Sequence, residues 1–289
     1  MGRIRIGVAG WDYPDWNGIV YPAGNSAATD RLAWITRFVD VVEINSTFYR
    51  PVAPRTAESW LRRTASVSDF TFTAKCHRSW THQRDDPRIA ATLDGLAPLR
   101  DGGRLSALLL QFPQSFHHTP KAMDHLARLV DSAPGWPLVL EVRHSSWDHD
   151  GLSADLKQAG IGWCAVDQPR TGPALLPPIP LVTGPGAYFR LHGRNTADWF
   201  REGAGRDARY DYLYSDQEVE DLAKTAGSMA EAAEELIVIQ NNHFRGKSLA
   251  NAIQMKHYLT GETMPAPASL VDEYPGLARI CNIIRTRLF

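Results

Sequence analysis

The chain has 289 residues, of which 44% are hydrophobic, 22% charged and 10% aromatic, a composition that points to a folded globular protein and away from a disordered or fibrous one. Its 31 Lys and Arg stand against 32 Asp and Glu, a formal net charge of −1, so no overall field draws it to nucleic acid or membrane and any cationic site must be local. Three widely spaced cysteines, Cys76, Cys164 and Cys281, show no C-x-x-C spacing, which argues against a disulfide framework or a zinc knuckle and suits a reducing compartment. The chain opens directly on a strand pattern without the apolar run of a signal peptide, and no stretch approaches the roughly 18 apolar residues of a membrane span. The expected location is the cytoplasm, where Asn45-Ser46-Thr47 is a coincidental match to the glycosylation pattern.

Taken in order, strand patterns fall at residues 3–10, 41–48, 69–77, 105–112, 137–144, 162–168, 186–193 and 235–242. Helical patterns separate them at 27–38, 56–64, 87–99, 120–132, 151–159, 215–233 and 247–259. Ser215-x-x-Glu218 is a capping box, and Pro120 suits a first helical turn. The sixth connection carries Pro169, Pro173, Pro177, Pro178, Pro180 and Pro185, which forbids a regular helix and predicts an irregular or very short helical crossover. Alternating strands and helices imply parallel pairing. Eight such units in one domain, at a length slightly above the roughly 250 residues typical of the fold, predict a single (β/α)8 TIM-type barrel, an open doubly wound sheet being the alternative.

In such a barrel the site lies at the carboxyl ends of the strands, so the strand ends carry the information. Period-2 parity puts Glu43 and Asn45, Lys75 and His77, Gln111, Glu141 and Arg143, Asp167, Arg190 and His192, and Asn241 to His243 on the face toward the axis. Val42, Ile44, Phe72, Val142, Phe189 and Leu191 take the outer face. The charges in this ring can be explained as ion pairs that fill the barrel, as groups of a site, or as an inner pair supporting an outer reactive group.

The loops that follow are rich in cations: Arg78, Arg194, Arg201, Arg206, Arg209, Arg245 and Lys247. Gly193-Arg194-Asn195 follows strand seven, and Gly246-Lys247-Ser248 opens the helix after strand eight, the usual phosphate-binding region of this fold. The latter lacks the first glycine of a Walker motif, Asn241 standing there, so ATP hydrolysis is not inferred. Trp11, Tyr13, Trp16, Tyr49, Trp80, Trp147, Trp199, Phe200, Tyr210 and Tyr212 add aromatic surface to the same rim. Arginines beside aromatics suit a nucleotide, a sugar phosphate or a strand of nucleic acid. A divalent metal is conceivable from His77, His192 and His243 with Glu43, Glu141 and Asp167 as oxygen donors, although no H-x-x-H or H-E-x-x-H spacing ties them together.

Several segments carry a resemblance: Gly10-Trp11-x-Tyr13-x-x-Trp16, Glu43-Ile44-Asn45-Ser46-Thr47-Phe48-Tyr49, Phe72-x-x-Lys75, Leu110-Gln111-Phe112-Pro113, Glu141-Val142-Arg143-His144-x-Ser146-Trp147, Arg190-Leu191-His192-Gly193-Arg194, Tyr210-x-Tyr212-Leu213-Tyr214 and Asn241-Asn242-His243. Through them nearly the whole chain resembles the YecE-like family, domain of unknown function 72. The first segment has Ala9 where that family's pattern has a small residue such as Ser. The resemblance implies a (β/α)8 barrel and brings no catalytic assignment with it.

The expected function is an enzyme acting on a phosphate-bearing or otherwise anionic small ligand; a nuclease-like nucleic-acid repair or processing protein and a non-catalytic anion or sugar sensor are the alternatives. Hydrolase, lyase and isomerase chemistry stay open, as does the oligomeric state. Glu141 is the expected general base or acid, Arg143 and Arg190 the stabilisers of transition-state charge, His192 the second proton-transfer group, and Glu43 and Asp167 supporting or metal-binding carboxylates. Lys75 is a candidate electrophile, or a Schiff-base amine if its pKa is lowered, which a neighbouring carboxylate opposes. The expected substrate-binding set is Trp11, Tyr13, Asn45, Tyr49, His77, Arg194, Asn195, Trp199, Arg206, Asn241, Asn242, His243 and Lys247.

Overall fold

A computed structural model of the chain describes residues 2–23, 29–84, 88–169, 172, 175–176, 179–184, 186–199, 201–203 and 205–284, with the side chain of Arg206 also outside the described set. Eight parallel strands close into a barrel in sequence order: β1 Arg3–Ala9, β2 Val41–Ile44, β3 Thr71–Lys75, β4 Leu105–Gln111, β5 Leu138–Glu141, β6 Gly162–Asp167, β7 Gly186–Leu191 and β8 Glu235–Gln240. The closing pair runs in register from Arg3↔Glu235 to Val8↔Gln240. The expected TIM-type barrel is therefore the fold, and the open sheet is ruled out.

The helices in chain order are α1 Arg31–Ile35, α2 Pro54–Arg63, α3 Ile89–Asp101, α4 Pro120–Ser132 and α5 Leu152–Ala159, then two single turns at the carboxyl face, α6 Thr196–Trp199 and α7 Arg206–Arg209, and finally α8 Asp216–Glu231, α9 Lys247–Thr260 and α10 Ala268–Glu273. Their ends follow local chemistry. Thr119 caps α4 by accepting from the Ala122 amide ahead of Pro120, and Ser215 with Glu218 makes both halves of a capping box at α8. The tract expected over 27–38 is helical only over Arg31–Ile35, and 27–28 fall outside the described residues. Of the sixth crossover, Pro173, Pro177, Pro178 and Pro185 lie outside the described residues, and the described remainder holds no helix. One annex carries no alternating pattern strong enough to announce it: β9 Met264–Pro267 pairs in parallel with β10 Cys281–Ile284 beside α10.

Two apolar layers result. Ala9, Val41, Ala107, Leu109, Val139, Cys164, Val166, Tyr188, Ile237 and Ile239 pack inside the barrel, and a larger layer, including Ile44, Phe72, Leu110, Phe189, Leu191 and Val238, packs between strands and helices. The inner layer occupies the middle of the barrel, above a cavity of about 380 Å³ at the amino ends of the strands lined by Ala107, Val139, Tyr188 and Ile237, and the polar ends of the same strands are left together at the top. Gly7 sits where β1 meets β2, and a Cβ there would stand 1.8 Å from the Val41 carbonyl oxygen. Closure at this seam thus requires the absence of a side chain. Gly7→Ala is expected to lower stability by at least about 1–3 kcal/mol, the usual cost of overpacking, read as a lower urea midpoint with the circular dichroism of the native state preserved.

Candidate functional site

At the carboxyl end of the barrel Arg190 of β7 lies between two carboxylates, Glu43 of β2 and Glu141 of β5, all essentially without solvent exposure. Its Nη2 and Nε donate to Glu43 at 2.7 and 3.0 Å, and its Nη1 donates to Glu141 Oε2 at 2.5 Å. The second layer completes both acids. Tyr188 Oη donates to Glu43 at 3.0 Å and receives from Thr73 at 2.8 Å, while Gln111 Nε2 and Arg143 Nη2 donate to Glu141 Oε1 at 2.6 and 3.1 Å. Buried ions persist only when paired and fully hydrogen-bonded, and these are.

The charge states follow. Burial opposes the charge on Arg190, but Glu141 and Glu43 outweigh it and hold the guanidinium well above its ordinary value. Burial would likewise raise Glu141, yet Arg190, His192 and Arg143 pull it well below the usual carboxylate range. Burial and then Arg190 drive His192 down to about 3 against the attraction of Glu141, so the imidazole is neutral at physiological pH. Asn241 Nδ2 donates to its Nδ1 at 2.8 Å, and its Nε2 stands 3.5 Å from Glu141 Oε1 and 3.4 Å from Arg190 Nη1. Lys75, half-buried at the end of β3, is pushed down to about 8 by burial and by Arg190, with Glu43 and Glu141 opposing. Its ammonium lies 4.4 Å from the ring centre of Phe48.

Above this network is a cavity of about 130 Å³ lined by Tyr13, Asn45, Tyr49, Lys75, Gln111, Arg190, Tyr210, Asn241 and His243. A second of about 360 Å³ shares Gln111 and Tyr210 with it and adds His82, Gln114, Arg143, Trp199 and Arg209. Trp199 turns its face toward Arg143, 5.7 Å from the guanidinium carbon, and its ring centre is 6.0 Å from that of His192. His243 stacks on Tyr13 at 4.5 Å and pairs with Asp207 at 3.3 Å.

Other expected residues stand elsewhere. Asp167 does not face the axis: it shares the outer parity of Trp163 and Ala165, whereas Cys164 and Val166 point inward. There it binds Arg194 at 2.8 Å and accepts from Tyr214 Oη at 2.7 Å, and Tyr214 in turn accepts from the Gly193 amide at 2.8 Å. Asn242 is also on the outer parity and donates to Asn251 at 2.7 Å and to the Tyr212 carbonyl at 2.8 Å. Asn195 ties the α6 segment to the Ala208 carbonyl at 2.9 Å. Lys247, at the start of α9, is paired with Asp211 and lines neither cavity. Trp11 packs edge-on against Trp60 at 5.7 Å, and His77 bonds to Ser79 and to the Tyr49 carbonyl. Arg206 begins α7, its side chain outside the described residues. Trp16, Trp80 and Trp147 are wholly buried and pack the loops. Of the residues proposed as metal ligands only His192 and Glu141 come together, at 3.5 Å; Arg190 stands between Glu141 and Glu43, and Asp167 faces outward, whereas among the described residues the metal-like group is His118, His149 and Asp155.

A family profile described as "Protein of unknown function DUF72" matches residues 5–272. The chain belongs to the DUF72 family. It is 27% identical over 272 residues, 89% of its own length and 94% of the relative's, to the UPF0759 protein YunF of Bacillus subtilis. Among solved structures, a DUF72 family protein from Thermotoga maritima is 33% identical with a TM-score of 0.77 over 89% of this chain and 99% of that one. Another from Enterococcus faecalis is 26% identical with a TM-score of 0.77 over 89% and 95%. In this DUF72 chain Gln111, expected on the axis but not named for the site, binds Glu141, and Tyr188, itself held by Thr73, binds Glu43; neither Tyr188 nor Thr73 was expected in the site. Parity with Glu141, Arg190 and Lys75 was the available signal. His82 had none, since it sits in the π-helical turn Ser79–Gln83, whose period leaves no mark in the sequence.

The network also sets stability. Arg190→Met strands two buried carboxylates and is expected to cost about 3–5 kcal/mol in denaturant unfolding, part of which the added Glu43→Gln change restores. Because Glu141 has a folded pKa below its ordinary 4.5, the unfolded chain binds the extra proton between the two values. Its contribution is therefore complete above 4.5 and falls as pH drops through the folded pKa, and Glu141→Gln is expected to flatten the acid limb of the stability curve.

Proposed function

We propose that this barrel is an enzyme for a phosphate-bearing or otherwise anionic small molecule, bound at the carboxyl face and protonated by Lys75. One observation carries the reading. Among the described residues Lys75 is in no ion pair, and it lines the cavity on the axis while both neighbouring acids, Glu43 and Glu141, are committed to arginines. Three cations, Lys75, Arg143 and Arg190, thus stand against two carboxylates, and the excess positive charge faces the cavity.

Roles follow from the charge states. Glu141 is saturated with donors and too acidic to take a proton near neutrality, so it orients Arg143, Gln111 and Arg190 rather than serving as base. His192, neutral and held at Nδ1 by Asn241, sets its Nε2 against Glu141, Arg143 and Arg190 and positions the same groups. Lys75 near 8 is mostly ammonium at pH 7, so one group both attracts the anion and supplies a proton at a pKa matched to the medium. Arg143, with 16% of its side chain exposed, reaches the outer cavity and stabilises developing negative charge. Trp199, Tyr210 and Arg209 in that cavity suit a sugar or a base on the remainder of the ligand.

Inorganic phosphate, sugar phosphates and nucleotides titrated by calorimetry test the binding, and a panel of the same compounds tests turnover. Lys75→Met is expected to weaken anion binding and to lower kcat by about 10²–10⁴, the range of general acid catalysis. Lys75→Arg keeps the charge and should bind without turning over. Since the protonated amine is the active form, kcat is expected to fall as pH rises through about 8. Anion binding and turnover indifferent to Lys75 would sink the proposal.

A further inference from the structure

Away from the axis, the loops after β4 and β5 bring together His118, His149 and Asp155, one from each of two loops and one from α5. One ligand atom from each lies within 4.8 Å of the others, and all three residues are half-buried. The two imidazole rings stand 4.3 Å apart at 36°, and His149 Nε2 is 4.0 Å from Asp155 Oδ2. That Nε2 is buried and has no hydrogen-bond partner among the described residues, an arrangement that costs free energy unless something binds the nitrogen.

The surroundings hold these side chains in place. The His118 amide donates to Ser146 Oγ at 2.9 Å, and the wholly buried Trp147 donates its indole proton to the Phe116 carbonyl at 2.9 Å. The loop carrying His118 is thereby fastened to the segment that leads into His149. Trp147 also meets the His118 ring edge-on at 5.0 Å.

We infer that His118, His149 and Asp155 form a binding site for a divalent transition ion of the zinc class, with its remaining position open to water. Two imidazoles and a carboxylate are the donor set such ions take. Zinc bonds of about 2.0–2.2 Å set tetrahedral donors about 3.4 Å apart, so side chains already this close need move by only about an ångström. The site borders neither cavity on the barrel axis, and its role is to tie the loop after β4 to the start of α5.

The test strips the full-length protein with a chelator and titrates it with Zn²⁺ by calorimetry, with Co²⁺ as an optical probe. One equivalent of Zn²⁺ is expected, with a rise in melting temperature and with Co²⁺ absorption bands of low coordination number. His149→Gln and Asp155→Asn should each weaken Zn²⁺ binding by more than about 100-fold, since even removing a partner of a ligand costs 10–100-fold. The metal-free melting temperature of these rim variants should stay close to that of the stripped wild type. Binding should weaken as pH falls through the histidine range, because protons compete for the rings. Absence of a Zn²⁺-dependent shift in wild type overturns the inference, and so does Zn²⁺ binding that both variants leave unchanged.

Discussion

A buried guanidinium held between two buried carboxylates is the constraint on which the upper barrel depends. Arg190 cannot be desolvated alone, and neither Glu43 nor Glu141 can be buried without it. Each acid comes from a different side of the barrel, β2 and β5, and Arg190 comes from β7, so the three charges meet only if the sheet is closed in the correct register. A one-residue slip in any of these strands would send its charge into the helix-facing layer. The ion network therefore acts as a register lock for the barrel as well as the floor of its cavity.

That lock changes what the acids can do. A carboxylate with an arginine, a glutamine and a second arginine on it is a permanent anion, useful for aiming its donors and poor at exchanging protons. The same low-dielectric surroundings strip His192 of its charge and bring the Lys75 ammonium toward neutrality. One desolvated environment thus fixes Glu141 as an anion, His192 as neutral and Lys75 as the group poised to titrate.

The barrel was legible because an apolar run of strand length recurs eight times with room for a crossover between runs, and several of those runs end in a polar parity. Glu43, Glu141, Arg190 and Asn45 could be placed on the axis from period 2 alone. Asp167 could not, since β6 reads Cys164-Ala165-Val166 on both parities with small or apolar residues and offers no contrast to set the phase. Lys247 and Arg194 were ambiguous for another reason. A cation after a strand looks the same whether it faces a ligand or an acid distant in sequence, and Asp211 and Asp167 are such acids. The His118, His149 and Asp155 group was invisible for the same reason, because its members follow different strands and no helical or strand period links them.

The two sides of the rim are held differently. On the side of β6 to β8, side chains do the fastening: Arg194 and Tyr214 on Asp167, Asn242 on Asn251, Asn195 on the Ala208 carbonyl and Lys247 on Asp211. These contacts fasten α6 and residues 210–214 at the rim, where Trp199 and Tyr210 line the outer cavity. On the side of β4 and β5 the two loops are joined by the His118 amide to Ser146, the Trp147 indole to Phe116 and the stack of His117 on His144 at 3.8 Å. Those same loops extend from the strand ends that carry Gln111 and Arg143, the two donors that complete Glu141. A divalent ion on His118, His149 and Asp155 would give this side the charged cross-link that Asp167 and Arg194 give the other, and would stiffen the segments that follow the donors aiming the outer cavity.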